Sequence, residues 1–146
     1  PGSNESTAAP LAVGRLMMNS RNQRGDEKAR IVSISHDGGQ TWDTSYVDKN
    51  LPDPVNEGSI IHIKIKKRKS VLAFCNAADT KKRDNLTLRI SFDDGKTWKK
   101  KFVIDSNGKA DNAAYSDIVL LGRKSIGILY EKENYSKIVF AVVRWK

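Results

Sequence analysis

The residue types that most often carry catalysis or hold metals are few in this chain. Its two histidines, His36 and His62, are not spaced as metal ligands usually are, and no glycine-rich phosphate-binding loop occurs. The single cysteine, Cys75, lies in the apolar run Val71–Cys75, so we expect a small buried hydrophobe without a disulfide partner. The sequence therefore predicts no metal and no cofactor.

An eight-residue motif occurs twice, and its polar side chains suit a turn better than a reaction. Residues 35–42 read S-H-D-G-G-Q-T-W, and residues 91–98 read S-F-D-D-G-K-T-W. The aspartate at its third position can accept hydrogen bonds from turn N–H groups, the glycine allows a positive φ, and the tryptophan can cover the hairpin. We predict structural roles for the shared positions: Ser35, Asp37, Gly39, Thr41, Trp42, Ser91, Asp93, Gly95, Thr97 and Trp98.

The apolar segments of the chain are short, and they predict an all-β fold. They are rich in β-branched residues, bounded by Gly, Asp, Asn or Lys, and none keeps a helical period for three turns. Because both motifs follow a strand-like run, we expect repeated antiparallel units: one ending near Val47, one from Ser59 to Asp105, and a three-stranded one from Ser116 to Val143. The predicted strands are Leu16–Arg21, Ala29–Ser35, Thr44–Val47, Ser59–Ile65, Ser70–Asn76, Leu86–Phe92, Lys101–Asp105, Ser116–Leu121, Ser125–Glu131 and Lys137–Val143.

The chain is basic, with 26 Lys and Arg against 17 Asp and Glu among 146 residues and a net charge of +9. The basic runs Lys64–Lys69, Lys81–Arg83 and Lys99–Lys101 each lie between apolar runs, which predicts solvated hairpin tips. A polyanion-binding β module remains an alternative, but no aromatic residues alternate with these cations as in nucleic-acid-binding surfaces, and we expect no nucleic-acid partner. No apolar run approaches the roughly 18 residues of a membrane span, so none is expected.

The paired motif is similar to the Asp box of sialidase-type propellers, and further segments extend the resemblance from Asn4 to Val143. This resemblance implies a six-bladed β-propeller, of which the chain supplies about three blades. The segments are N-E-S at residues 4–6, G-R-L-M-M-N-S-R at 14–21, K-R-D-N-L-T-L-R at 82–89, A-Y-S-D at 114–117 and I-L-Y-E at 128–131.

The resemblance to the sialidase family also implies a set of site residues. Tyr115 would be the catalytic nucleophile, and Glu5 would be the base bonded to its hydroxyl. Arg21 and Arg83 would be two of three arginines that clamp the substrate carboxylate, and Glu131 would orient the third arginine. Sialylated glycans would be the substrate, hydrolysed with retention, by a protein that is secreted, periplasmic or on the cell surface.

This set of residues makes chemical sense for sialic acid, which carries a carboxylate on its anomeric carbon. A carboxylate nucleophile would be repelled there, whereas a neutral phenol is not, and a nearby glutamate can take its proton. Sialidases with a tyrosine nucleophile are a known exception to the two-carboxylate pattern of glycosidases. Arginine suits the clamp because its planar guanidinium binds carboxylates bidentately and stays charged.

The sequence departs from the family pattern at two places near these residues. Pro10 and Val13 stand where relatives commonly have acidic residues, so we expect a different local turn near Glu5. Residues 56–59 read N-E-G-S where many relatives have C-Q-G-S. Glu57 thus puts a carboxylate in place of an amide near the substrate pocket, where we expect it to alter selectivity.

The resemblance leads to an expectation about domain organisation. Residues 1–3, Pro-Gly-Ser, look like a cloning remnant, and residues 4–146 would be the C-terminal part of the catalytic domain. The third arginine and the acid/base aspartate would belong to an N-terminal half, which is the expected partner of the incomplete third blade. The 146 residues alone are therefore expected to be catalytically silent or nearly so.

A noncatalytic Asp-box propeller that binds glycans or proteins is the main alternative to a sialidase. It predicts that Tyr115, Glu5, Arg21 and Arg83 do not converge in space.

Overall fold

Residues 2–43, 45–65 and 71–146, which the computed structural model describes, form β-strands joined by turns and short loops. The all-β prediction is confirmed. The strands are β1 (Ser3–Pro10), β2 (Leu16–Asn22), β3 (Ala29–Ser35), β4 (Tyr46–Pro52), β5 (Gly58–Ile63), β6 (Val71–Ala77), β7 (Leu86–Ser91), β8 (Lys100–Asp105), β9 (Ala113–Leu121), β10 (Ser125–Lys132) and β11 (Lys137–Arg144). The described residues contain no helix that is long and apolar enough to cross a membrane.

The strands form three antiparallel sheets, each of which follows chain order. The first sheet contains β1 to β4, the second contains β5 to β8, and the third contains β9 to β11. The first strands of the sheets lie side by side, with β1 next to β5 and β5 next to β9. The sheets are therefore blades arranged around a common inner edge, and the third has three strands, as the repeat predicted.

The first blade differs from its prediction at both ends. It begins with β1, a strand that the sequence did not predict because residues 3–10 are mostly small and polar. This strand exists through its pairing with β2, from Ser3 opposite Asn22 to Pro10 opposite Leu16. The blade also extends to Pro52 rather than Val47. Residues 44 and 70, at the ends of two predicted strands, and residues 66–69 of a basic run lie outside the described residues.

Two apolar clusters hold the blades face to face. One lies between the first and second blades and includes Met17, Val32 and Phe74. The other lies between the second and third blades and includes Cys75 and Ile128. Cys75 is fully buried, as expected, and burial raises the pKa of its thiol to about 12. The inner strands are thus fixed by packing on both faces of the second blade.

Both copies of the repeated motif form the same hydrogen-bonded turn. In the second copy, the Asp93 carboxylate accepts the Thr97 N–H at 2.8 Å and the Ser91 hydroxyl at 2.8 Å. In the first copy, Asp37 likewise accepts the Thr41 N–H and the Ser35 hydroxyl, and in both copies the aspartate also accepts the threonine hydroxyl. These bonds, the Thr41 hydroxyl first, hold the pKa of Asp37 well below its usual range.

The tryptophans of the two motifs have different surroundings. Trp98 is 6% exposed and packs in the cluster between the first two blades, with its ring 5.9 Å from that of Phe74. Trp42 has the equivalent position in the first blade, where no other described sheet covers the corresponding face, and it is 38% exposed. The motif tryptophan therefore contributes to packing between blades rather than only covering its own hairpin.

The outer face of the third blade is apolar and exposed. It carries large side chains from β10 and β11 that are between 47% and 65% exposed, with Leu129 directly opposite Phe140: Leu129, Ile138, Phe140 and Val142. Contiguous apolar surface of this kind usually marks an interface.

Candidate active site

Tyr115 lies within β9 at a β-bulge, whereas the predicted strand began one residue later, at Ser116. Ser116 pairs with Tyr130 and Ala113 with Lys132, so two residues of β9 face Glu131 alone. A bulge of this kind redirects a side chain and frees backbone groups from the ladder. The freed Tyr115 N–H donates to the Glu131 carboxylate at 3.2 Å. The bulge and the bond to Glu131 together set the direction in which the Tyr115 side chain projects from β9.

Glu5 lies at a second bulge, on the strand that the sequence did not predict. The register of β1 on β2 shifts between Asn4 and Ser6, and Glu5 has a φ of 31°. Strained backbone of this type is commonly found at functional sites. The Glu5 carboxylate accepts the Tyr115 hydroxyl in a short hydrogen bond. Two separate bulges thus bring a phenol and a carboxylate from different blades into contact.

Two arginines complete the group around the Tyr115 phenol. Arg21, at the end of β2, donates to the Tyr115 hydroxyl at 3.0 Å and to the Glu5 carboxylate at 2.5 Å. Arg83 lies with its guanidinium carbon 5.6 Å from the centre of the Tyr115 ring. Arg83 also donates to the hydroxyl of Tyr135, in the β10–β11 turn, at 2.6 Å. It is therefore directed toward the site, whereas its neighbours Lys81 and Lys82 are exposed to solvent.

The contacts of the phenol and the carboxylate set their charges. Burial, followed by the hydrogen bond to Glu5, raises the pKa of Tyr115, so its phenol is neutral near pH 7. Burial alone would raise the pKa of Glu5, but hydrogen bonds from Tyr115 and Arg21 outweigh it and lower that pKa. The site at neutral pH therefore holds a neutral phenol beside an ionised acceptor and two guanidinium groups.

A cleft beside Tyr115 has an acidic wall. Glu57, Asp117 and Glu131 line it together with Tyr115 and apolar side chains of the third blade. Glu57 is partly buried and accepts the Ser116 N–H at 2.9 Å. Burial is the main reason why the pKa of Glu57 is raised to about 7. This carboxyl group therefore changes charge close to neutral pH.

The structure brings the predicted site residues to one place. Tyr115, Glu5, Arg21 and Arg83 converge, in contrast to what a noncatalytic propeller predicts, and Glu131 and Glu57 flank the Tyr115 backbone. The catalytic and binding roles of these residues remain predictions. Among the described residues, no three His, Cys, Asp or Glu side chains are grouped to hold a metal ion.

Sequence reasoning missed other residues of this site. The Tyr135 hydroxyl, which receives the bond from Arg83, lies in a polar turn that carried no motif. Asn56 donates from its side chain to the Ala114 carbonyl at 2.8 Å, and the buried Arg30 donates to the Asn56 carbonyl. The only sequence signal for Asn56 was its place beside Glu57, in the segment that differs from the family pattern. Nothing in the sequence pointed to Arg30.

Comparison with known proteins identifies the family. The model of the BNR repeat-like domain matches residues 2–128. The chain belongs to this family. A sialidase of Bacteroides fragilis is 35% identical over 148 residues, and one of Micromonospora viridifaciens is 35% identical over 135 residues. These alignments cover 97% and 89% of the chain but only 26% and 20% of the relatives. The predicted resemblance to sialidases with BNR repeats is confirmed.

Solved structures share the fold of this chain. A Hadza microbial sialidase superposes with a TM-score of 0.84 at 29% identity, over 98% of this chain and 28% of that one. A leech intramolecular trans-sialidase superposes with a TM-score of 0.78 at 21% identity, over 95% of this chain and 23% of that one. The predicted fold, about three blades of a sialidase-type β-propeller, is confirmed. The chain spans about a quarter of the length of these similar proteins.

Proposed function

We propose that the protein is part of an exo-sialidase that removes terminal α-linked sialic acid from glycans through a tyrosyl-enzyme intermediate. The main support is the Tyr115 hydroxyl, which is hydrogen-bonded to the Glu5 carboxylate and to Arg21 beneath the guanidinium of Arg83. Such a group matches what a nucleophilic phenol needs: a proton acceptor in contact and cations for an anionic substrate.

In the proposed reaction, the Tyr115 oxygen attacks the anomeric carbon as its proton passes to Glu5. The bond to the leaving sugar breaks, and an acid donates a proton to the departing oxygen. Water then hydrolyses the sialyl–tyrosine bond, so the configuration is retained after two displacements. Arg21 and Arg83 bind the substrate carboxylate, and Glu57 contributes to selectivity from the acidic wall of the cleft.

The segments of this chain that resemble the family supply neither the acid nor the third clamp arginine. We propose that they come from further blades of the same propeller. Glu131 lies opposite Ile138 on the exposed apolar face of the third blade, and the cleft beside Tyr115 is continuous with that face. A blade that covers this face would therefore reach the cleft, and the resemblance implies that the third clamp arginine lies beside Glu131. The same resemblance suggests that the protein functions outside the cytoplasm.

Turnover of a fluorogenic sialoside tests the incompleteness of the site. The 146 residues alone are expected to give a rate near background because acid assistance and part of the clamp are absent. A rate comparable to that of intact sialidases would contradict this part of the proposal.

Binding of 3′-sialyllactose, compared with lactose, tests the site itself. We expect sialyllactose, but not lactose, to shift the NMR signals of the Tyr115 ring. Arg83→Gln should weaken this binding roughly tenfold or more, since it removes a charge-assisted contact. Lys81→Gln is the matched control: Lys81 is exposed, lies two residues before Arg83, and loses the same charge. Equal losses in both variants, with Tyr115→Phe unaffected, would favour the polyanion-binding alternative instead.

A further inference from the structure

Two consecutive residues before β5 hold the peptide groups on either side of Tyr115. The Asn56 side chain donates to the Ala114 carbonyl at 2.8 Å. The Glu57 carboxylate accepts the Ser116 N–H at 2.9 Å. These bonds run from the segment between the first and second blades to the inner strand of the third. The dipeptide therefore connects the nucleophile candidate to the rest of the propeller.

Asn56 is firmly anchored on the opposite side. It is fully buried, its N–H donates to the Asp53 carboxylate at 3.0 Å, and its carbonyl accepts from Arg30. Arg30 is itself fully buried and donates to Asn19 of the neighbouring strand at 2.7 Å. These bonds tie the main chain of Asn56 to Arg30 and Asp53, which belong to the first blade and the segment after it. Any displacement of Ala114 must therefore work against the core of the first blade.

The backbone at Tyr115 needs such a hold because the sheet does not supply it. The bulge removes Ala114 and Tyr115 from regular pairing with β10, and β9 is the inner edge strand of its sheet. Unpaired backbone at a bulge or an edge is free to shift unless side chains or solvent satisfy it. Asn56 and Glu57 satisfy it from one side, and Glu131 satisfies it from the other.

We propose that Asn56 and Glu57 are positioning residues for Tyr115, and that the Glu57 half of this hold tightens when its carboxyl group loses a proton. The proposal rests on the proposed function in taking Tyr115 as the nucleophile. Asn56 supplies a hold that does not depend on pH, through a neutral amide. Glu57 supplies one that does, because an ionised carboxylate accepts an N–H more strongly than a neutral carboxyl group.

The surroundings of Glu57 bring the pH at which it changes charge close to neutral. Burial and the carboxylates of Asp117 and Glu5 raise its pKa to about 7, against the Ser116 N–H and the Arg30 charge, which lower it. The bond to Ser116 is therefore weaker below this pH and stronger above it. The titratable and charged groups that share its cleft or interact with its charge are Glu5, Arg30, Cys75, Tyr115, Asp117, Tyr130 and Glu131.

NMR titration of the isotopically labelled chain tests the pH-dependent half. The Ser116 amide proton should move downfield with a midpoint near pH 7, and the Tyr115 ring signals should move with the same midpoint. Glu57→Gln, which keeps the shape of the side chain, should abolish both changes. A Ser116 amide without an inflection between pH 5.5 and 8.5, or a Tyr115 ring that does not follow it, would overturn the proposal.

Amide hydrogen exchange tests the pH-independent half. Asn56→Ala should raise the exchange rate of the Tyr115 amide about tenfold, because the peptide between residues 114 and 115 loses its bond. Asn76→Ala is the matched control: Asn76 belongs to the same buried network, through Asp53, but its side-chain hydrogen bonds go to Pro52, Asp53, Ala77 and Arg89 and not to β9. Equal rates in both variants would overturn the role of Asn56.

The outcome for the proposed function is separate. Intact coupling between Glu57 and Tyr115 in a chain that does not bind sialosides would leave the positioning in place and refute the sialidase site. Binding of sialosides without the coupling would support the sialidase site and refute the positioning by Glu57.

Discussion

Replacing Glu57 by glutamine is expected to remove the loss of stability that the ionisation of this residue causes between pH 4.5 and about 7. In the folded chain the Glu57 carboxyl lies partly buried beside the Ser116 N–H and near the carboxylates of Asp117 and Glu5. Burial, the largest of these effects, raises its pKa from 4.5 to about 7. Glutamine keeps the size of the side chain and cannot ionise.

The sign and size of the effect follow from proton binding. Between pH 4.5 and about 7, the folded protein holds a proton on Glu57 that the unfolded chain has released, so the free energy of unfolding falls as pH rises. At about 1.4 kcal/mol for each pH unit, the loss across this window is about 3 kcal/mol. This loss of unfolding free energy is absent below pH 4.5 and complete above about pH 7. For a chain of this size, it corresponds to roughly 6 to 12 °C in Tm.

Chemical denaturation at several pH values between 4 and 8 measures this difference. The stability of Glu57→Gln relative to wild type should increase across the window and then stay constant. Glu133→Gln is a control of opposite sign, because the hydrogen bond from Lys137 lowers the pKa of Glu133. Its relative stability should change only toward acidic pH. A stability difference between wild type and Glu57→Gln that is flat from pH 4 to 8 would refute the desolvation argument.

Three further predictions concern the core, the outer face and the phenol. Trp98→Ala should cost about 3 to 5 kcal/mol of unfolding free energy in denaturation experiments, whereas Trp42→Ala, at an exposed position, should cost much less. Phe140→Lys should reduce binding of a hydrophobic dye and concentration-dependent association measured by light scattering, with little change in Tm, because Phe140 is 54% exposed. Glu5→Gln should lower the pKa of the Tyr115 phenol in a tyrosine absorbance titration, because it removes the carboxylate that opposes phenolate formation.

Each of these predictions has an outcome that contradicts it. Equal costs for the two tryptophans would mean that the motif tryptophan does not pack between blades. If Phe140→Lys associates as strongly as wild type, the surface responsible for association is not the apolar face of the third blade. A higher pKa for Tyr115 in Glu5→Gln would mean that the glutamate does not contact the phenol in solution.

The repeated motif and the short β-branched runs were enough to predict the blades. Both signals are local, since turn bonds such as those of Asp93 join residues within one motif and the strand propensity of runs such as β7 lies in a few consecutive residues. The strand β1 escaped prediction because residues 3–10 have little β propensity of their own. It is ordered by pairing with β2, which periodicity within one segment cannot reveal.

The site residues were predicted by family resemblance rather than by pattern. Glu5 and Tyr115 are 110 residues apart, and they meet because the blades place their inner strands side by side. The bulges that direct both side chains, and the partners Tyr135 and Asn56, depend on the pairing of distant strands. Residue type and spacing along the chain carry no record of such contacts.

Covalent labelling of Tyr115 is the most direct test of its role as the nucleophile. A 2,3-difluorosialic acid carries a fluoride that departs without help from an acid, so labelling depends on the nucleophile and its clamp more than on acid assistance. After prolonged incubation at high reagent concentration, peptide mapping by mass spectrometry should find a fluorosialyl group on Tyr115, and Tyr115→Phe should remain unlabelled. A label on a carboxylate such as Glu5 or Glu131 in place of Tyr115, or equal labelling of Tyr115→Phe, would contradict a tyrosine nucleophile.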